Sequence, residues 1–524
     1  MEYYASTGGM ERSAGRAARD NNIIAVYALA QSLRSTLGPM GMDKLINNGL
    51  GDIVVTNDGY TLLSEMRISH PAARLAVEAA VAQQETVGDG TTTVVVLAGE
   101  LLKQAQELLD QNIHPAIISR GYRRAEKLVR KMLDELARSV DDLGEEILRA
   151  VAITAMIGKG PESSRWALAS LAVEAIKIVR SCNERNETFN IEDIKLDRVV
   201  GKSTDESELV HGVLIARERA HPQMLKEVHN ARVALIDRPI EIKSPEITAQ
   251  IQIHDPSQMQ AFVEQEATTL NEMVRCIQSV GCNVLFCQQN IEEPADFFLS
   301  RLGILAVRRV PASDLLRIAK ATGAQIVSSP FQVSEGDLGK AGLVQEIRKG
   351  KDTYIQVEKC ENPRAVTLLV KAGTQHAAEE ARRALEDAIG DLASVIRTRK
   401  VVPGAGAIEM KISSRLREEA KRTLSGKDRL VVEAFAEAIK VIPRTLIESA
   451  GVDTTEYLAQ MEERQEKEGP SIGFDLITGQ FRDCWDAGII EPLELKTQAI
   501  GSATEVAVMI LRIDEVHIGD APEK

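Results

Sequence analysis

At 524 residues the chain is too long for one hydrophobic core, and about two to four domains are expected. Its 44% hydrophobic and 27% charged content is that of an ordinary globular protein, with cores left to Ala, Val, Leu and Ile because aromatics make up only 3%. A formal charge of -14 argues against a nucleic-acid or anionic-membrane binder, and no apolar run reaches the roughly 18 residues of a membrane span.

The opening Met1-Glu2-Tyr3-Tyr4 carries no basic, apolar or cleavable signal segment, so a cytoplasmic location is expected. From about Gly15 to Leu109 the pattern is helical with one hairpin-like interruption. Ile23, Ile24, Tyr27, Ala30 and Leu33 recur at helical spacing and stop before Thr36-Leu37-Gly38-Pro39. Asp52-Ile53-Val54-Val55-Thr56 is a short β run ending in the turn signal Asn57-Asp58-Gly59. Pro115 to Ala137 forms a strong amphipathic helix, with Ile118, Tyr122, Ala125, Val129, Met132 and Leu136 on its apolar side.

Near Arg217 the pattern changes. Ala231–Asp237, Asn283–Gln288, Leu305–Val310 and Gln325–Ser329 read as β runs, alternating with helices at Pro294–Leu302 and Ala312–Thr322. That alternation predicts an α/β layer. A polar, largely helical stretch from about Glu246 to Val280 is too long for a simple connection and is expected to project. Val366–Val370 leads into a helix from Thr374 to about Ile396, and Gly404 to Ile513 reads as largely helical. Helical ends around an α/β middle imply that the middle is inserted. The six cysteines, Cys182, Cys276, Cys282, Cys287, Cys360 and Cys484, form no Cys-x-x-Cys pair, so free thiols are expected and zinc is not.

Chemistry concentrates in Val87-Gly88-Asp89-Gly90-Thr91-Thr92-Thr93, which precedes an apolar helical run. Glycines allow close backbone approach, a helix start presents N–H groups to an anion, and Asp89 can hold a divalent cation. It is not a P-loop, and a tight turn with an N-capping Asp is the alternative. Four further features bear on such a site: Thr36-Leu37-Gly38-Pro39, Asn57-Asp58-Gly59, Pro403-Gly404-Ala405-Gly406-Ala407, and Asp387 in mid-helix. Taken singly they also read as a helix C-cap, a tight turn, a close helix crossing, and a solvated face shared with Glu380, Arg383 and Asp391.

Taken together they resemble the group II chaperonins, the type represented by the thermosome, in collinear order over nearly the whole chain. The matching segments are Thr36–Lys44, Thr56–Gly59, Val87–Thr93, Gly158-Lys159-Gly160, Ile253–Ser257, Ala306–Val310, Leu385–Ala388, Pro403-Gly404, Ile442–Leu446 and Leu511–Asp514.

The resemblance implies ATP and Mg2+ as cofactors and assigns roles residue by residue. Asp89 would bind the magnesium, with Gly88, Gly90, Thr91, Thr92 and Thr93 around the phosphates. Asp58 (beside Asn57) and Asp387 would position and polarise the attacking water, and Lys159, next to Gly158, would sense the γ-phosphate. Leu37, Gly38, Pro39, Gly404 and Ala405 would lie against the nucleotide, and Glu491 near the ribose. Hydrolysis would require the helix carrying Asp387 to swing onto the nucleotide.

The implied fold is multi-domain α and α/β. A helical equatorial domain (1–148 and 401–524) would join a small intermediate domain (149–216 and 365–400) and an α/β apical domain (217–364) with a helical lid protrusion at about 246–280. The implied partners are non-native proteins and copies of the chain, in double rings of 16 subunits with no separate lid co-chaperonin. Met40, Ile157, Ala405, the basic Arg397-Thr398-Arg399-Lys400 and the absence of a Gly-Met-rich tail depart from the family pattern, and an archaeal-like bacterial chaperonin fits them as well. Two rival readings are a chaperonin-derived scaffold without efficient ATP hydrolysis and a metabolic phosphotransferase.

Overall fold

Ile23, Val26, Ala30 and Leu33 wrap an apolar stripe along the first long helix, α1 (Gly15–Arg34), and all four are buried. The computed structural model describes residues 10–47, 51, 53–140, 144–160, 162–181, 190–242, 256–361 and 365–519. Before α1 runs β1 (Met10–Ala14), and after it β2 (Lys44–Asn47) and β3 (Ile53–Thr56) pair as an antiparallel hairpin. Helices α2 (Gly59–Glu65), α3 (Pro71–Thr86), α4 (Thr91–Asp110) and α5 (Pro115–Leu136) follow. Both α3 and α5 start on proline, whose missing N–H costs nothing in a first turn. The expected apolar side of α5 is buried from Ile118 to Met132, with Leu136 partly so; the Tyr122 hydroxyl donates to Leu101 O at 2.7 Å. Next come β4 (Arg138–Ser139), α6 (Glu145–Met156) and α7 (Arg165–Ser181).

The middle of the chain holds β5 (Ile194–Val200), β6 (Glu208–Val210), β7 (Gly212–Ile215), β8 (Glu227–Ile236), α8 (Pro256–Ser279), β9 (Val284–Cys287), α9 (Glu293–Arg301), β10 (Leu305–Val307), α10 (Ala312–Thr322) and β11 (Ile326–Val327). Three longer strands close it: β12 (Gly339–Lys349), β13 (Asp352–Glu358) and β14 (Val366–Ala372). The main sheet runs β10-β9-β8-β12-β13-β7, with β11 also on β8, and β5-β14-β6 form a second sheet. β8, β9 and β10 are parallel, as the strand–helix alternation predicts. The antiparallel β12 and β13 were not anticipated, because Lys340, Gln345, Glu346, Arg348 and Lys349 break the apolar pattern of β12. Period-two alternation sends Val233 and Leu235 to one face of the sheet and Ala234 and Ile236 to the other, so it carries a core on each side. Of the stretch expected to project, residues from Pro256 form α8, whose Leu270, Val274 and Ile277 are buried in a core shared with α9 and the sheet; residues 246–255 lie outside the described residues.

The return begins with α11 (Gln375–Thr398) and β15 (Lys400–Pro403), followed by α12 (Ala407–Thr423), α13 (Gly426–Ile439), α14 (Val441–Ser449) and α15 (Thr454–Glu468). The stretch expected to be largely helical is interrupted by the hairpin of β16 (Ile472–Asp475) and β17 (Gln480–Asp483), then by β18 (Ile490–Pro492). Asp475 builds that turn: its carboxylate accepts from the Thr478 hydroxyl at 2.8 Å and its carbonyl from Gly479 N at 2.8 Å. α16 (Leu493–Leu511) and β19 (Glu515–Gly519) complete the chain's described part, and β19 pairs antiparallel with β1.

Two compact units result, one from residues 1–169 with 383–524 and one from 170–382. The first is cored on α4, a helix apolar nearly all round, surrounded by α1, α3, α5, α13 and α16. The described cysteines Cys276, Cys282, Cys287, Cys360 and Cys484 are free thiols, as expected; Cys182 lies outside the described residues. Among the described residues no helix is long and apolar enough to cross a membrane.

Candidate active site

The site is built where α4 begins. Gly90 takes a left-handed conformation at φ 84°, which turns the chain sharply between Asp89 and the helix. No side chain caps α4, so the N-capping alternative for Asp89 does not hold. The Asp89 carboxylate instead accepts from Gly90 N at 2.7 Å and from Lys159 Nζ at 2.9 Å. Thr91, Thr92 and Thr93, in the first turn of α4, line a cavity of about 440 Å³ at the helix's positive end.

Gly59 lies so close to α4 that a Cβ would sit 2.2 Å from Thr92 Oγ1 and 2.7 Å from Thr91 Oγ1. That contact brings Asp58, at the start of α2, to the same cavity. Asp58 does act as a cap, accepting from Thr61 N at 2.9 Å and Thr61 Oγ1 at 2.6 Å, both through Oδ2. Asn57 Nδ2 donates to Gly158 O at 2.6 Å, tying this corner to the Gly158-Lys159 turn. Gly158, at φ 78°, packs against Gly38 and Pro39, which line the cavity with Leu37.

Lys159 is the centre of charge. Its Nζ lies 2.9 Å from Asp89 Oδ1 and 2.6 Å from Asp387 Oδ2. Burial alone would discharge the ammonium, but Asp387, Asp89 and Asp58 outweigh it and hold Lys159 charged well above its usual range. Burial pushes the Asp387 carboxyl up, with Asp89 and Asp58 adding to it and Lys159 pulling it back. Asp387 is 4% exposed and Asp391, one turn further, is 2% exposed, so the solvated-face alternative for this part of α11 is wrong. The reason is a backbone contact: a Cβ on Gly390 would lie 2.6 Å from Val87 O and 2.8 Å from Gly88 Cα. Gly88 therefore serves helix docking, away from the cavity wall, and α11 is already seated on the loop. Gly390→Val should unseat it, at a cost of about 1–3 kcal/mol, because backbone cannot give way as a side chain can. A thermal midpoint equal to that of the unaltered protein would remove this account.

At the opposite end Gly404 N donates to Ile489 O at 2.9 Å, and a Cβ there would lie 3.2 Å from Glu491 Oε2. Ala405 and Glu491 line the cavity, and Gly404 supports Glu491 from behind. Ala405 sits at φ 52°, a conformation costing a non-glycine residue about 1–2 kcal/mol.

Two features went unseen in the sequence. Lys496 Nζ bridges the partly exposed Glu491 at 2.6 Å and the buried Glu409 at 2.8 Å. Asp391 Oδ1 is buried with no hydrogen-bond partner among the described residues, and burial, then Asp89, drive its carboxyl well up. A Glu–Lys–Glu set drawn from three helical and strand ends has no local signature. For Asp391 the i, i+4 spacing from Asp387 was a usable signal, read instead as surface.

A helical unit with a carboxylate-lined cavity at a helix start, and an α/β unit inserted within its sequence, defines a class. The model of the TCP-1/cpn60 chaperonin family matches residues 29–519, and the chain belongs to that family. It is 47% identical over 516 residues to thermosome subunit beta of Archaeoglobus fulgidus, covering 98% of this chain and 94% of the relative. It is 48% identical over 508 residues to thermosome subunit beta of Methanothermobacter thermautotrophicus, covering 97% and 93%. With the thermosome subunit of Methanopyrus kandleri it shares 47% over 508 residues, again 97% and 93%. Within the family it is an ATP-dependent group II chaperonin, with the multi-domain α and α/β architecture expected from the sequence.

Proposed function

We propose that the protein is a magnesium-dependent ATPase whose turnover drives the folding of non-native proteins. The observation carrying this reading is Lys159 held between Asp89 and Asp387 beside the uncapped start of α4. Among the described residues no three His, Cys, Asp or Glu side chains form a ready-made metal cage. That suits magnesium, which keeps waters and binds through one or two carboxylates plus substrate phosphates. Asp89 would hold it, and Mg2+ when bound supplies charge neutralisation for phosphoryl transfer. Thr91, Thr92 and Thr93 donate to phosphate oxygens, and Lys159 turns from the carboxylates towards the γ-phosphate. Asp387 and Asp58 then position and polarise the attacking water. Leu37, Gly38 and Pro39 bear on the nucleotide from one side and Ala405 from the other. Glu491, fixed by Lys496 and Gly404, takes the ribose hydroxyls.

In this reading residues 1–148 and 401–524 are equatorial, 149–216 and 365–400 intermediate, and 217–364 apical, with a lid protrusion at about 246–280. Sixteen subunits form two rings in the cytoplasm and close without a separate lid co-chaperonin. The test pairs native mass measurement with phosphate release from ATP, with and without Mg2+. A sixteen-subunit particle releasing phosphate only with Mg2+ is the expected result. An intact ring without phosphate release would favour the scaffold, and a monomer or dimer would favour a phosphotransferase.

A further inference from the structure

A second cavity, of about 900 Å³, opens in the first unit where the start of α5 meets α1 and the end of α16. Arg19, Arg120, Arg123, Arg124, Lys127 and Arg512 line it against one acid, Asp514, in a chain of net charge -14. Arg120, Arg123, Arg124 and Lys127 fall at i, i+3, i+4 and i+7 of α5, a single stripe opposite the buried one. Arg19 pairs with Asp514 at 3.8 Å and Arg120 with Asp428 at 3.1 Å. Among the described residues Arg123, Arg124, Lys127 and Arg512 have no acidic partner.

A basic stripe alone is an ordinary solvated helix face. Convergence sets this one apart: Arg19 comes from α1, four cations from α5 and Arg512 from the end of α16, all onto one cavity. His114 accepts from Ala116 N at 3.2 Å through Nδ1, which leaves its proton on Nε2 as another donor.

We propose that this cavity binds an oligophosphate anion. Five of its six cations are arginines, whose planar forks match phosphate oxygens. The wall offers donors and, apart from Asp514, no charged acceptor, so a ligand made only of acceptors satisfies it. An acidic peptide would bring N–H groups that the wall cannot meet. The volume exceeds what one orthophosphate fills, so a chain of phosphates has room to reach cations on all three helices. The proposal is independent of the nucleotide site.

The test titrates inorganic tripolyphosphate into the assembled protein by calorimetry, alone and with excess Mg-ADP. Binding should persist with Mg-ADP present and weaken as salt rises from about 50 to about 200 mM. Arg123→Ser with Arg124→Ser, at exposed positions, should lower the affinity at least about tenfold, since two charge-assisted contacts are lost. Arg512→Ser alone, at an exposed position at the end of α16, should lower it several-fold, which covers failure of the double variant to assemble. Displacement by Mg-ADP, no binding, unchanged affinity in these variants, or tighter binding of hexaglutamate would overturn the proposal.

Discussion

Asp387→Asn should slow ATP hydrolysis by at least about 100-fold while leaving nucleotide affinity nearly unchanged. A group that positions and polarises the attacking water acts in the transition state, and removing such acid–base assistance costs on the order of 10²–10⁴ in rate. Binding should survive because Asp387 lies behind Lys159, 2.6 Å from its Nζ, and does not line the cavity itself. The amide keeps the shape of the side chain and can still contact its neighbours, so α11 stays seated through Gly390. The check is single-turnover phosphate release beside a calorimetric titration with Mg-ADP. Turnover equal to that of the unaltered protein would remove Asp387 from the chemistry, whatever its distance from Lys159.

Asp89→Ala should fail one step earlier, at binding. Asp89 would be the protein's own ligand to magnesium, and a metal's charge on a phosphoryl group amounts to several kcal/mol. The loss should appear as roughly a 100-fold weaker affinity for Mg-nucleotide and little change for nucleotide without metal. Lys159 would keep Asp387 as partner, so the pocket's ammonium stays in place. Titrations with and without Mg2+ separate the two cases. If the variant kept its metal-dependent gain in affinity, magnesium would be held elsewhere. The pair is diagnostic together: one variant binds without turning over, and the other does not bind.

Much of this site was legible before any fold was known. Gly88-Asp89-Gly90 followed by three threonines announces a tight turn into a helix through local chemistry alone, and α4 does begin at Thr91 after Gly90 at φ 84°. The same holds for α5, whose apolar stripe repeats every turn, and for the parallel strands alternating with helices. β12 and β13 escaped because polar side chains on half-buried strands blur a period of two. The β16–β17 hairpin escaped because Gly473 and Asp475 in one strand, and Gln480, Arg482 and Asp483 in the other, leave no apolar run.

By itself, the sequence determined most of the helices, the alternating α/β middle and the family. Each depends on patterns a few residues long or on resemblance along the chain. Only the tertiary structure decided that Lys159 meets Asp387, 228 residues away, that Gly390 lies on Gly88, and that Asp391 is buried. It also decided that Lys496 stands between Glu409 and Glu491. Such contacts are set by how helices from both ends of the chain pack, and packing is a property of surfaces brought together, which no local spacing records.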